Sequence, residues 1–425
     1  MRPSRNVSVL LLVAVCCLSL SAGSLAENVT FWTWEAGQRY NLINEELDLF
    51  RQAHPDVDLQ YINRDIRWGE ALFVAIVSGA APDLTITHQD WHRDFAMQGL
   101  FLDLRPFIER DGFDLSVFPA SVMEYYTGPF GEITGIPWDF TTILLGYNKD
   151  LFNERGVSFP TADWDLDDMV EAARRLTFDR DGDGENDVWG LHIGPLRQYV
   201  WRLWGVNFLT DDMQRTNLDD PRSIQAFEWL ASLFREHNVV GAQGLATSSL
   251  TPWINGQIGI NLSFPHYLIS AGRTMTPEWD IELIPTAPVG YKIARGATGG
   301  WAIPANADNP EGAWEVIKFL ASHESQLRMI EKGIGGVHLG AIQEYWTQMS
   351  PAELGLANRN SLRNRAAIAQ AYQYASIDLY PTGYQQMWDT IINPAIESII
   401  LGHAAAPVAL SRAAERVNAI LRQAD

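Results

Sequence analysis

Three neighbouring pairs, Trp34-Glu35, Asp90-Trp91 and Trp138-Asp139, put an indole beside a carboxylate. An indole face lies well against the apolar C–H face of a pyranose, while a carboxylate accepts from its hydroxyls. Both are needed, because each buried hydroxyl left without a partner costs on the order of 1–3 kcal/mol. The same acids could instead cut a glycoside. Glu35 and Asp139 would then act as acid and base, which requires a set separation and a raised pKa on one of them. No nucleophile elbow, HExxH zinc motif or phosphate loop offers another enzymatic route. A single Trp–acid pair can equally be a core ring beside a solvated acid. Three such pairs at element ends favour binding.

The elements around these pairs set their positions. Val29 to Trp34 reads as a strand, Ile43, Leu47 and Phe50 mark one helix face, and Val57, Leu59 and Tyr61 alternate as a second strand. A helical stretch from Trp68 to Val77 ends at Gly79, and Asp83 to Thr87 returns as a buried strand. Such βαβ units build a mainly parallel sheet with helices on both faces. Ligands then sit beyond the carboxyl ends of the strands, which is where Trp34-Glu35 and Asp90-Trp91 fall. Further on, Asn309-Pro310-Glu311 combines an N-cap, a first-turn proline and a first-turn acid, and Ala313, Trp314, Ile317 and Leu320 follow at helical spacing.

Charge and cysteines bound the setting. Of 425 residues, 31 are basic and 52 acidic, a net charge of −21 that disfavours nucleic acid and anionic lipid as partners. Arg2 and Arg5 precede an apolar run from Val7 to Leu20 and a small-residue end at Ser24-Leu25-Ala26, so residues 1–26 read as a cleavable secretory signal. Cys16 and Cys17, the only cysteines, would leave with it; Val15 ahead of Cys16 argues against lipid attachment. The mature chain would thus lack disulfides, thiol catalysis and zinc–thiolate sites. Asp179, Asp181, Asp183 and Asp187 take positions one, three, five and nine of a calcium-loop pattern, with Gly184 at six. The glutamate at position twelve is missing, since Gly190 stands there. The loop is either a structural calcium site or a solvated Asp/Gly turn, and no cofactor is otherwise required.

Several segments carry a family resemblance: Val29 to Trp34, SGAAPDLTIT (Ser78 to Thr87), Gly135-Ile136-Pro137-Trp138-Asp139, LLGYNKDLF (Leu144 to Phe152), and GGWAIPANADNPEGAWEVIKFLASHES from Gly299 to Ser325. In that order they resemble the extracellular solute-binding proteins of the sugar type, the substrate-capturing subunits of ABC importers related to maltose-binding proteins. The resemblance implies a two-lobed α/β fold of the periplasmic-binding-protein kind (type II-like). Each lobe would hold a mixed, mainly parallel sheet flanked by helices, and the lobes would close like a hinged clamp. It places an N-terminal lobe at residues 27–139 plus 277–325 and a C-terminal lobe at 140–276 plus 326–425, with crossings near Trp138–Thr142, Phe264–Thr276 and Ser325–Lys332. The implied activity is non-enzymatic: a periplasmic monomer captures a sugar and delivers it to membrane permease subunits. By position, Asp90 would hold ligand hydroxyls beside Trp91, Trp138 and Asp139 would meet sugar at the first crossing, and Gly300 and Trp301 would supply a glycine–tryptophan contact. His266 stands where relatives place an aromatic, which implies a polar contact there. Trp204 is a second-lobe candidate, and Trp388 resembles a late aromatic platform, with core packing as the alternative for Trp388.

Overall fold

The computed structural model describes residues 27–67, 69–241, 250–381 and 383–424. The secretory signal read at residues 1–26, its two cysteines included, lies outside them, as does Trp68.

Among the described residues ten strands form two sheets: β1 (Glu27–Thr33), β2 (Val57–Asn63), β3 (Leu84–His88), β4 (Ile136–Thr142), β5 (Leu144–Asn148), β6 (Trp189–His192), β7 (Ile258–Ser263), β8 (Trp279–Glu282), β9 (Ala294–Ala302) and β10 (Ala375–Ser376). The first sheet runs β10-β9-β3-β1-β2, with β4 also paired to β9. β1 lies parallel to β2 and β3, as the βαβ rhythm requires, and β9 enters antiparallel to both β3 and β4. The second sheet runs β6-β7-β5-β8. Here two of three pairings are antiparallel, because β5 arrives directly from the first lobe and lodges between β7 and β8. Those two strands run parallel to each other across it, joined through the helix Pro265–Gly272. Both lobes are thus mixed α/β layers.

Local signals explain the ends of the elements. Asn309 caps the helix Pro310–Ala321 by accepting from Gly312 N–H at 2.9 Å. Leu144 to Phe152 is only half strand: Asn148 ends β5 and caps the helix Lys149–Arg155, accepting from Asp150 and Leu151.

Lobe borders differ from those expected. β8 belongs to the second sheet and β9 to the first, so the chain crosses between Glu282 and Ala294 rather than at Phe264–Thr276. A border at Ser325 would split the helix His323–Glu331, whose Arg328 pairs with Glu46 of the helix Gly37–Ala53 in the first lobe. Farther on, Leu362 and Asn364 bond to β8, β10 returns to β9, and Asp378 accepts from Trp201 and Phe208 in the second lobe. The departures share one cause. Sheet partners are chosen across long sequence separations, where local periodicity carries no signal.

Candidate functional site

Strand ends of the first lobe bound two hollows, and a helical turn near the C-terminus closes the larger from the other side. The larger, of about 830 Å³, is lined from the first lobe by residues that include Phe73, Asp90, Trp91 and Asp94. From the other side come Tyr384, Gln385, Gln386 and Asp389. The smaller, of about 460 Å³, is lined by Trp34, Glu35, Arg39, His88, Asp139 and Thr298, among others. Hollows of this size suit a small organic ligand.

In the smaller hollow the charges are matched. Arg39 Nε lies 2.9 Å from Glu35 Oε2, and its Nη2 lies 3.5 Å from Asp139 Oδ2. The guanidinium rests over the Trp138 ring, 4.8 Å from its centre. Gly299 N–H donates to Asp139 Oδ1 at 2.8 Å. Burial raises both carboxyl pKa values above the ordinary range, and Arg39 opposes the rise. Two acids near one cation make a hydroxyl-binding floor. As general acid and base they would first have to leave that cation.

Arg39→Met should therefore lower stability at pH 7 by about 1 kcal/mol, a modest figure because Arg39 is more than a third exposed and screened. A raised folded-state carboxyl pKa means the folded protein binds protons more readily than the unfolded chain. Stability of the variant should accordingly recover as pH falls from 7 towards 5. Urea melts across that range check it; a deficit that grows in acid would contradict the arrangement.

In the larger hollow Asp90 is held differently. Burial alone would raise its pKa, but His88, 3.2 Å away, followed by Arg295 and Arg67, brings it below the ordinary carboxylate value. Asp90 is thus an ionised acceptor facing the hollow.

The candidate residues fall into two groups. Trp34, Glu35, Trp138 and Asp139 meet at the smaller hollow, while Asp90 and Trp91 line the larger. His266 is exposed at the start of its helix in the second lobe; its ring stacks on Phe264 at 5.7 Å and lies tilted against Tyr267 at 4.2 Å. Desolvation, then the charge of Arg39, push its imidazole pKa down to about 4; it lines neither hollow, and its interaction with Arg39 sets it near the smaller one.

Four candidates lie elsewhere. Trp301 is 2 % exposed and points into the first-lobe core with Phe31, Tyr61 and Leu320. Gly300 backs onto Tyr126, which a Cβ would approach to 2.5 Å. The glycine that reaches the site is Gly299, where a Cβ would run into Trp138 Nε1. Trp204 packs on Trp229 at 5.5 Å within the second lobe and lines neither hollow. Trp388 is buried behind Tyr384, its ring 6.3 Å away, and Tyr384 is the ring that lines the wall. Trp91 itself is 3 % exposed and gives its indole N–H to Arg67 O, so Phe73, half-buried, offers the more open face.

Arg39, Phe73, Tyr384 and Gly299 were not among the site residues assigned from sequence. Arg39 had a usable signal, an i,i+4 pairing with Glu35 at a helix start, and Gly299 had its place beside Gly300 in a glycine pair.

The acidic loop brings carboxylate oxygens of Asp179, Asp181 and Asp187 within 4.8 Å of one another. Asp183 stands outside that group and accepts from Glu185 N–H instead. Among the described residues no helix is long and apolar enough to cross a membrane.

Residues 35–327 match the family model described as bacterial extracellular solute-binding protein. A binding protein of Brucella abortus is 23 % identical over 95 % of each chain. The maltotriose-binding protein of Pyrococcus abyssi is 22 % identical over 70 % of this chain and 64 % of its own. Among solved structures, the sugar-binding protein MalE of Xanthomonas citri superposes with a TM-score of 0.76 at 18 % identity, covering 93 % of this chain and 98 % of that one.

Proposed function

The chain belongs to the bacterial extracellular solute-binding protein family, and from that premise we propose that it captures a sugar between its lobes and hands it to an ABC permease. The carrying observation is the hollow of about 830 Å³, with aromatic rings from both lobes and carboxylates and amides around them. Rings supply area for C–H faces, and the polar groups meet the hydroxyls that burial would otherwise leave unpaired. The names borne by the Pyrococcus abyssi and Xanthomonas citri proteins support the same ligand class. The site residues we assign are Trp34, Glu35, Arg39, Phe73, Asp90, Trp91, Trp138, Asp139, His266, Gly299 and Tyr384. Binding proceeds by closure of one lobe on the other, as a monomer, in the periplasm, after the signal at residues 1–26 is removed.

Binding without turnover is part of the same reading, since Arg39 occupies Glu35 and Asp139. Calcium on Asp179, Asp181 and Asp187 would brace the loop far from this chemistry.

Thermal melts against a panel of mono- and oligosaccharides test the proposal. A true ligand at about 100 times its dissociation constant adds roughly 2.7 kcal/mol to stability, with no product by chromatography. Phe73→Ala should weaken that ligand about tenfold, the worth of one stacked ring. Steady sugar cleavage, or no response to any carbohydrate, would refute the function.

A further inference from the structure

The two hollows differ in charge. Glu35 and Asp139 have Arg39 between them, and Arg67 shares their lining. Around the larger hollow stand four carboxylates, Glu70, Asp90, Asp94 and Asp389, and no lysine, arginine or histidine lines it among the described residues. Asp90 is compensated from behind by His88, Arg295 and Arg67. Glu70 and Asp389 are not: neither forms a salt bridge among the described residues, and Asp389 takes only the Gln385 amide, at 3.0 Å. They come from opposite lobes, Glu70 at the start of the helix Glu70–Val77 and Asp389 one turn beyond Tyr384. Both are exposed at the lining of the hollow, one from each lobe, and a neutral ligand enclosed between the lobes would bring neither a counter-charge.

We propose that this hollow selects a cationic amino sugar, a hexosamine or a saccharide containing one, over its neutral and anionic counterparts. This rests on the sugar-binding reading above. An ammonium group supplies three donors and one positive charge to the Glu70 and Asp389 carboxylates. The half-buried face of Phe73 attracts the same cation through its ring quadrupole, and a uronate or sugar phosphate meets repulsion.

Matched sets test it: glucosamine, glucose, N-acetylglucosamine and glucuronate, and the galactose equivalents, as monomers and as disaccharides, titrated into the mature protein by calorimetry at low salt. The amino member should bind about tenfold more tightly than its neutral partner, and the uronate about tenfold more weakly, with both ratios shrinking at about 0.5 M salt. The double variant E70Q/D389N should bring the amino-to-neutral ratio close to one; taking both sugars on one variant cancels any general loss of affinity. Equal or tighter binding of the neutral or anionic member overturns the proposal and leaves sugar binding standing. So does a preference for the amine that survives E70Q/D389N. If no carbohydrate of any charge binds, the sugar-binding reading fails and the proposal falls with it.

Discussion

Trp301→Ala should cost about 3–5 kcal/mol of stability, as large-to-small changes at buried aromatics do, while leaving sugar affinity within about threefold. The indole is 2 % exposed, sits opposite Ile86 and Ile136 on the flanking strands, and shares its packing with Phe31, Tyr61 and Leu320. The space left between these side chains is only about 10 Å³, so removing the ring opens a cavity that tight neighbours can hardly close. Its position next to Gly300 makes it look like a ligand contact in the sequence. Position along the strand decides otherwise: Trp301 and Gly299 share one face, but Gly299 lies opposite His88 at the strand's site end and meets Trp138 and Asp139, whereas Trp301 lies opposite Ile86, two residues deeper. Urea melts with and without sugar separate the two roles. A variant that keeps its stability and loses ligand would return Trp301 to the cleft.

That exchange between Gly299 and Trp301 marks the limit of what the residues alone could tell. Element types were legible because they rest on local chemistry, as with the Asn309 cap and the alternation of Val57, Leu59 and Tyr61. So were strand ends, which is why Glu35 and Asp90 reach the hollows; Asp139 reaches the smaller one from the middle of β4. The face that a ring presents was not legible. Trp388 and Tyr384 lie four residues apart on one helical stretch, and which of these two buried rings lines the hollow depends on how that stretch packs against Phe208 and Tyr380. Phe73 escaped notice for a similar reason. It belongs to an apolar helix, Glu70–Val77, whose exposed residues include Val74 and Val77, so periodicity separates core from surface poorly. The second lobe's partly antiparallel sheet was hidden as well, since β5 pairs with strands more than a hundred residues away.

Arg328→Ala should be comparably damaging, by about 3–5 kcal/mol, although the residue is far from either hollow. Arg328 Nε and Nη2 donate to Glu46 at 2.6–3.2 Å, and the two partners are unequally placed: the Glu46 side chain is 0 % exposed and that of Arg328 36 %. Removing the arginine strands a carboxylate with no access to water, whereas Glu46→Leu leaves a cation that can turn outward. The second change should therefore cost less than the first, and the double variant E46L/R328M should regain most of the loss, because an apolar pair removes the stranded charge. The same measurement bears on the lobe border. The helix His323–Glu331 packs on the helix Gly37–Ala53, so we assign it to the first lobe. Calorimetry that resolves two unfolding steps should then show Arg328→Ala and Trp301→Ala lowering the same one. If Arg328→Ala acts instead on the other step, residues beyond Ser325 fold with the second lobe, and the contact with Glu46 is an interface between lobes rather than part of one core.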